Sequence, residues 1–155
     1  MLNFTRPTST ASASDLVWPF QGRHLVSELM GSPGAPIPLG QLMSDFPMVT
    51  DITPVGFLDD KPVFTCAVET ANMDVMKYTS GNLFALIGRI AGEQFDVIGR
   101  AYQLLCWERD HRHCGRCGKQ TALADKGQSR ACEPCGLSVY PVSYTHLTLP
   151  TNDQV

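Results

Sequence analysis

Between Leu16 and Pro62 the apolar residues come in short runs, many alternating with polar ones, and the runs are broken by turn residues. That pattern predicts strands. Leu16–Phe20 and His24–Glu28 flank Gln21-Gly22-Arg23 and predict one hairpin. Ile52–Leu58 and Val63–Glu69 flank Asp59-Asp60-Lys61 and predict a second. Between the hairpins, Gly31-Ser32-Pro33-Gly34-Ala35-Pro36 and Pro38 suit neither a helix nor an interior strand, so this stretch is expected to be a connection. From Asn82 the period changes. Leu83–Ile90 predicts a short helix ending near Gly92, and a longer helix is expected from Glu93 to Arg109. In the longer one Phe95, Ile98, Tyr102 and Leu105 form a single apolar stripe, expected to pack on the sheet as a core face. Glu93 near its start and Arg109 near its end suit the helix dipole.

These elements predict an α+β chain: a small mixed sheet with helices over residues 15–110, followed by a cysteine-rich segment at 111–141. At 155 residues and 43% hydrophobic, it can bury one modest core with a small appendage. The net charge of −3 argues against a molecule that binds nucleic acid over its whole surface. Charge is uneven, however. Residues 109–130 carry six basic side chains against Asp110 and Asp125. A run this short is read as a solvated face. Residues 1–14, rich in Ser, Thr and Ala, are expected to be a disordered start. No charged-then-apolar leader and no long apolar run is visible, so no membrane role is expected and a reducing cytoplasm is the favoured location.

Cys114, Cys117, Cys132 and Cys135 fall as C-x2-C, fourteen residues, C-x2-C, with Gly118 and Gly136 after the pairs. Two such turns facing each other supply a tetrahedron of soft ligands, so all four are candidate Zn²⁺ ligands. The glycines allow tight turns in which backbone amides point at sulfur. Iron in a rubredoxin-like site is the competing reading, although the span between the pairs is short for that fold. Four thiolates close the coordination shell, so a structural metal is expected, with no place for a catalytic water. His111 and His113 are read as part of a basic linker, and Cys66 and Cys106 as small buried hydrophobes.

Arg100-Ala101-Tyr102-Gln103-Leu104-Leu105-Cys106-Trp107 runs on to His111-Arg112-His113-Cys114-Gly115-Arg116-Cys117-Gly118, and the second pair is followed by Tyr140-Pro141. Together these resemble the NADH pyrophosphatase (NAD diphosphatase) branch of the Nudix hydrolases, across roughly residues 83–141. The resemblance implies a homodimeric hydrolase that cleaves the pyrophosphate of NAD(H) to nicotinamide mononucleotide and AMP, and in some members removes NAD caps from RNA. In that family a Nudix domain following the ribbon binds Mg²⁺ or Mn²⁺ through a glutamate array. No such array occurs in this chain; Glu93, Glu108 and Glu133 are scattered, so no catalytic or cofactor-binding residue is assigned. The expectation is a truncated NAD diphosphatase, inactive alone. The alternative is a stand-alone zinc-ribbon module binding nucleic acid or a protein partner.

Residues 142–151 depart from the family pattern and carry no Asp, Glu, Lys or Arg. They resemble a translated sequencing adapter read in frame, so 142–155 is expected to be foreign to the native gene.

Overall fold

The computed structural model describes residues 2–3 and 6–141; the 142–155 tail lies outside them. The described residues form two compact units, divided between Leu105 and Cys106. In the first unit the strands are β1 (Leu2–Asn3), β2 (Leu16–Gln21), β3 (His24–Glu28), β4 (Ile37–Pro38), β5 (Val49–Leu58), β6 (Lys61–Val68) and β7 (Tyr78–Asn82). They make a seven-stranded mixed sheet in the order β1-β5-β6-β2-β3-β7, with β4 paired to β2 off that path. Helix α1 spans Leu39–Asp45, and α2 spans Gly92–Asp110.

Both predicted hairpins form. Gly22 takes φ +58° in the β2–β3 turn, and Asp59 and Asp60 take φ 50° and 65° in the β5–β6 turn. Asp is among the few non-glycine residues that tolerate this region, and two-residue hairpin loops require it. The hairpins join through a parallel pairing of β2 with β6, from Leu16↔Val63 to Phe20↔Ala67. Pro19 has no N–H to donate, and it sits where β2 changes partner on its other side, from β4 at Leu16–Val17 to β3 at Phe20–Gln21.

Alternation along the strands divides the core between two faces. Trp18, Phe20, Leu25, Val55 and Val63 pack with Val97, Ile98, Ala101, Leu104 and Leu105 of α2. Val17, Val26, Phe64, Cys66, Val68 and Tyr78 pack with Leu39 and Leu42 of α1 and with Phe46. Of the predicted α2 stripe, Ile98 and Leu105 are buried, while Phe95 and Tyr102 flank the core half-covered.

Three expectations differ. Leu83–Ile90 holds only a 3-10 turn at Leu83–Leu86, capped by the Asn82 side chain, and the chain leaves it with Gly88 at φ +82°. α1 interrupts a stretch expected to be all strand. It has no side-chain cap; the carbonyls of Asp15 and Ala13 accept from its Leu39 and Gly40 N–H groups at 2.9 and 2.8 Å. Residues 6–14, expected to be disordered, therefore include a helix cap. They also include Arg6, which is buried and donates from Nε to the Pro54 carbonyl at 3.1 Å.

Candidate metal centre

The second unit begins inside α2 and continues into a three-stranded antiparallel sheet. Its strands are β8 (Ala122–Ala124), β9 (Ser129–Cys132) and β10 (Leu137–Val139), in the order β10-β9-β8. Asp125 and Lys126, at φ 50° and 55°, and Gly127, at φ +81°, close the β8–β9 turn.

The two cysteine turns are built alike. In the first, Gly118 N–H donates to the Cys114 carbonyl at 2.9 Å; in the second, Gly136 N–H donates to the Cys132 carbonyl at 2.8 Å. Each glycine sits at positive φ, +78° and +71°, where a side chain would add strain. The backbone is thereby wrapped around sulfur. Arg116 N–H lies 3.3 Å from Cys114 Sγ. The Cys117 N–H, and after it that of Arg116, draws the Cys114 thiol down to about 6, favouring the thiolate a metal requires.

The four sulfurs lie within 4.8 Å of one another, and Cys117 Sγ is 3.5 Å from Cys132 Sγ. Tetrahedral zinc with Zn–S bonds of about 2.3 Å separates its sulfurs by about 3.8 Å, so the donor set fits the ion. Crowding makes the same point electrostatically. Hydrogen bonding of the protonated Cys135 thiol to Cys117, followed by burial, pushes Cys135 up to about 12. Four thiolates cannot share this volume without a cation between them. Cys114 and Cys132 are buried, Cys135 is half-buried and Cys117 is exposed.

The neighbouring residues supply support. Among the described residues the histidines do not join the cluster. His111 Nδ1 lies 2.8 Å from the Trp107 carbonyl, and His113 forms a β-bridge with Gln120. Arg130, which the sequence places in a solvated basic run, is instead paired: its Nε donates to Glu108 Oε2 at 2.9 Å, with both side chains largely buried. Arg130 Nη1 also donates to the carbonyl and hydroxyl of Thr121, both at 3.2 Å. The end of α2 is thereby tied to β9, the strand that carries Cys132. No local pattern links positions 108, 121 and 130, so sequence reasoning had no signal for this tie. Cys66 is fully buried, as expected, whereas Cys106 is only half-buried.

Residues 109–140 match the NADH pyrophosphatase zinc ribbon domain. Together with the similarity to NudC proteins, this match supports the NADH pyrophosphatase branch of the Nudix hydrolases. It is 32% identical over 88 residues to the NAD-capped RNA hydrolase NudC of Pseudomonas entomophila strain L48, covering 56% of this chain and 31% of the relative. It is 30% identical over 115 residues to the NudC of Pseudomonas syringae pv. tomato strain DC3000, covering 73% of this chain and 40% of the relative. The matched region thus spans about a third of the length of these relatives. In this branch the four-cysteine cluster is a zinc ribbon, fused here to a mixed α+β sheet unit.

Proposed function

We propose that this chain is the N-terminal sheet domain and zinc ribbon of an NAD(H) diphosphatase. Residues 15–110 form the sheet domain and 111–141 the ribbon, with 142–155 foreign to the native gene. Cys114, Cys117, Cys132 and Cys135 are the zinc ligands. The observation that carries the reading is the ribbon: its residues match the NADH pyrophosphatase ribbon, and its four sulfurs stand at zinc-binding distances.

When bound, zinc supplies cross-linking rather than Lewis-acid chemistry, because the four thiolates occupy every position of the tetrahedron. The two glycine turns orient the sulfurs, and the Glu108–Arg130–Thr121 network holds β9 to the end of α2. Hydrolysis of NAD(H), or of the NAD cap of RNA, belongs to a Nudix domain in the complete cytoplasmic homodimer, with Mg²⁺ or Mn²⁺ bound there. Among the described residues no helix is long and apolar enough to cross a membrane.

Reading the genomic frame past Pro141 tests the proposal. A downstream Gly-x5-Glu-x7-Arg-Glu-x2-Glu-Glu-x-Gly motif is expected. A stop codon there, confirmed by independent reads, would instead support a stand-alone zinc-ribbon module. With the purified chain, Mg²⁺-dependent NADH turnover is expected to stay at background; turnover above background would refute the absence of a catalytic site.

A further inference from the structure

The four sulfurs of the ribbon are not equally accessible. Cys114 and Cys132 are 5% and 1% exposed and Cys135 is half-buried, whereas Cys117 is exposed. Its whole turn faces solvent: Gly115, Arg116, Gly118 and Lys119 are exposed beside it. Local charge differs between the turns as well. Cys117 lies between Arg116 and Lys119, whereas Glu133 is the only charged residue from Cys132 to Gly136. An exposed sulfur among cations is the kind that reacts with oxidants, while a buried one is inert.

A second thiol stands ready beside it. Cys117 Sγ lies 3.5 Å from Cys132 Sγ, in contact, and the two belong to different turns fifteen positions apart. The other cysteines are less suited. Cys66 is fully buried in the sheet unit. Cys106 is half-buried on α2 and stands outside the four-sulfur cluster.

We propose that Cys117 is a site of oxidation by hydrogen peroxide and that Cys132 resolves it, giving a disulfide between the two turns. The Cys117 thiolate attacks one peroxide oxygen: an S–O bond forms, the O–O bond breaks and hydroxide leaves. The Cys132 thiolate then attacks the Cys117 sulfur: the S–S bond forms, the S–O bond breaks and a second hydroxide leaves. The thiolate pair gives up two electrons, one peroxide is reduced, and two solvent protons turn both hydroxides into water. Only Cys114 and Cys135 then remain as thiolate donors, too few to hold zinc in a four-sulfur site. The disulfide takes over the tie between the turns. A link within one turn, Cys114–Cys117 or Cys132–Cys135, would leave the turns unjoined. The inference rests on the ligand set proposed above and adds its response to oxidant.

Peroxide treatment of the zinc-loaded full chain tests it, read by zinc release to a colorimetric chelator and by disulfide mapping of the digested protein. About one zinc is expected to leave per disulfide formed, with Cys117 joined to Cys132. Thiol reductant with added zinc should restore the starting metal content. The exposed double variant Arg116→Glu/Lys119→Glu is expected to load zinc as wild type does and to release it at least about threefold more slowly. Cys106→Ser is expected to release zinc at the wild-type rate. A wild type that takes up no zinc overturns the ligand set and the oxidation site together. In a loaded chain, four results overturn the oxidation site alone: zinc retained in excess peroxide, a disulfide confined to one turn, release lost in Cys106→Ser, or an unchanged rate in the folded double variant. If the double variant does not fold, the disulfide map of wild type decides.

Discussion

Cys117 and Cys132 stand on different turns, and each contributes one sulfur to the four-cysteine cluster, so either can test the proposed ligand set. Replacing either with Ser is expected to lower bound zinc from about one ion per chain to near zero, read by metal analysis after dialysis. Unchanged metal content would reject the assigned ligands. Gly118 and Gly136 hold the turns at positive φ. Gly136→Ala should cost about 1 kcal/mol of ribbon stability and speed zinc loss to a chelator. Glu108 poses a different test, because its carboxylate is largely buried against Arg130. Glu108→Gln leaves that guanidinium without its counter-charge and is expected to cost about 3 kcal/mol, read as a drop in the ribbon's unfolding free energy. The two residue types were not equally legible. Cysteine spacing is a local pattern that carries its own geometry. Glu108 and Arg130 are twenty-two positions apart and meet only once the ribbon has folded back on the helix.

Among the elements, α2 was the most legible, because a long 3.6-residue period needs only one partner surface to make sense of it. Its buried line runs through Val97, Ile98, Ala101, Leu104 and Leu105. Ile98→Ala is expected to cost about 2–5 kcal/mol in urea unfolding of the sheet unit. The hairpins were legible for a similar reason, since turn residues and apolar runs lie side by side in the chain. α1 was not. Leu39–Asp45 is short, lacks a capping side chain and begins directly after Pro38. Its two buried leucines acquire meaning only from the opposite face of the sheet, and its first amides are satisfied by carbonyls of residues 13 and 15. The 3-10 turn at Leu83–Leu86 shows the reverse error. Its apolar sequence suggested a longer helix, but Gly88 at φ +82° interrupts it.

For the whole molecule, pH acts on the sheet unit from both the acid and the alkaline side. Hydrogen bonds from Lys77 and Tyr78 hold the Asp45 carboxyl below its usual value. Asp45 therefore contributes stability that is present above about pH 4 and lost as pH falls through its lower folded value. Burial raises the Tyr78 hydroxyl, aided by its hydrogen bond to Asp45, and burial pushes the Cys66 thiol up to about 12. Both favour the folded state while neutral. Their contribution is present below about pH 8.5 for the thiol and about pH 10 for the phenol, and it is lost as pH rises through the folded values. The urea midpoint is thus expected to fall on both limbs, and Asp45→Asn should flatten the acid one. Zinc removal should act separately, unfolding the ribbon while the sheet's circular dichroism persists. By itself the sequence determined the four-cysteine cluster, the two hairpins, the long helix and the family resemblance, because each is written in residues close along the chain. Only the tertiary structure decided the parallel β2–β6 pairing, the placement of α1, the buried Glu108–Arg130 tie and the unequal burial of the four ribbon cysteines. Those depend on which distant surfaces meet, and backbone pairing between remote strands leaves little trace in local composition or period.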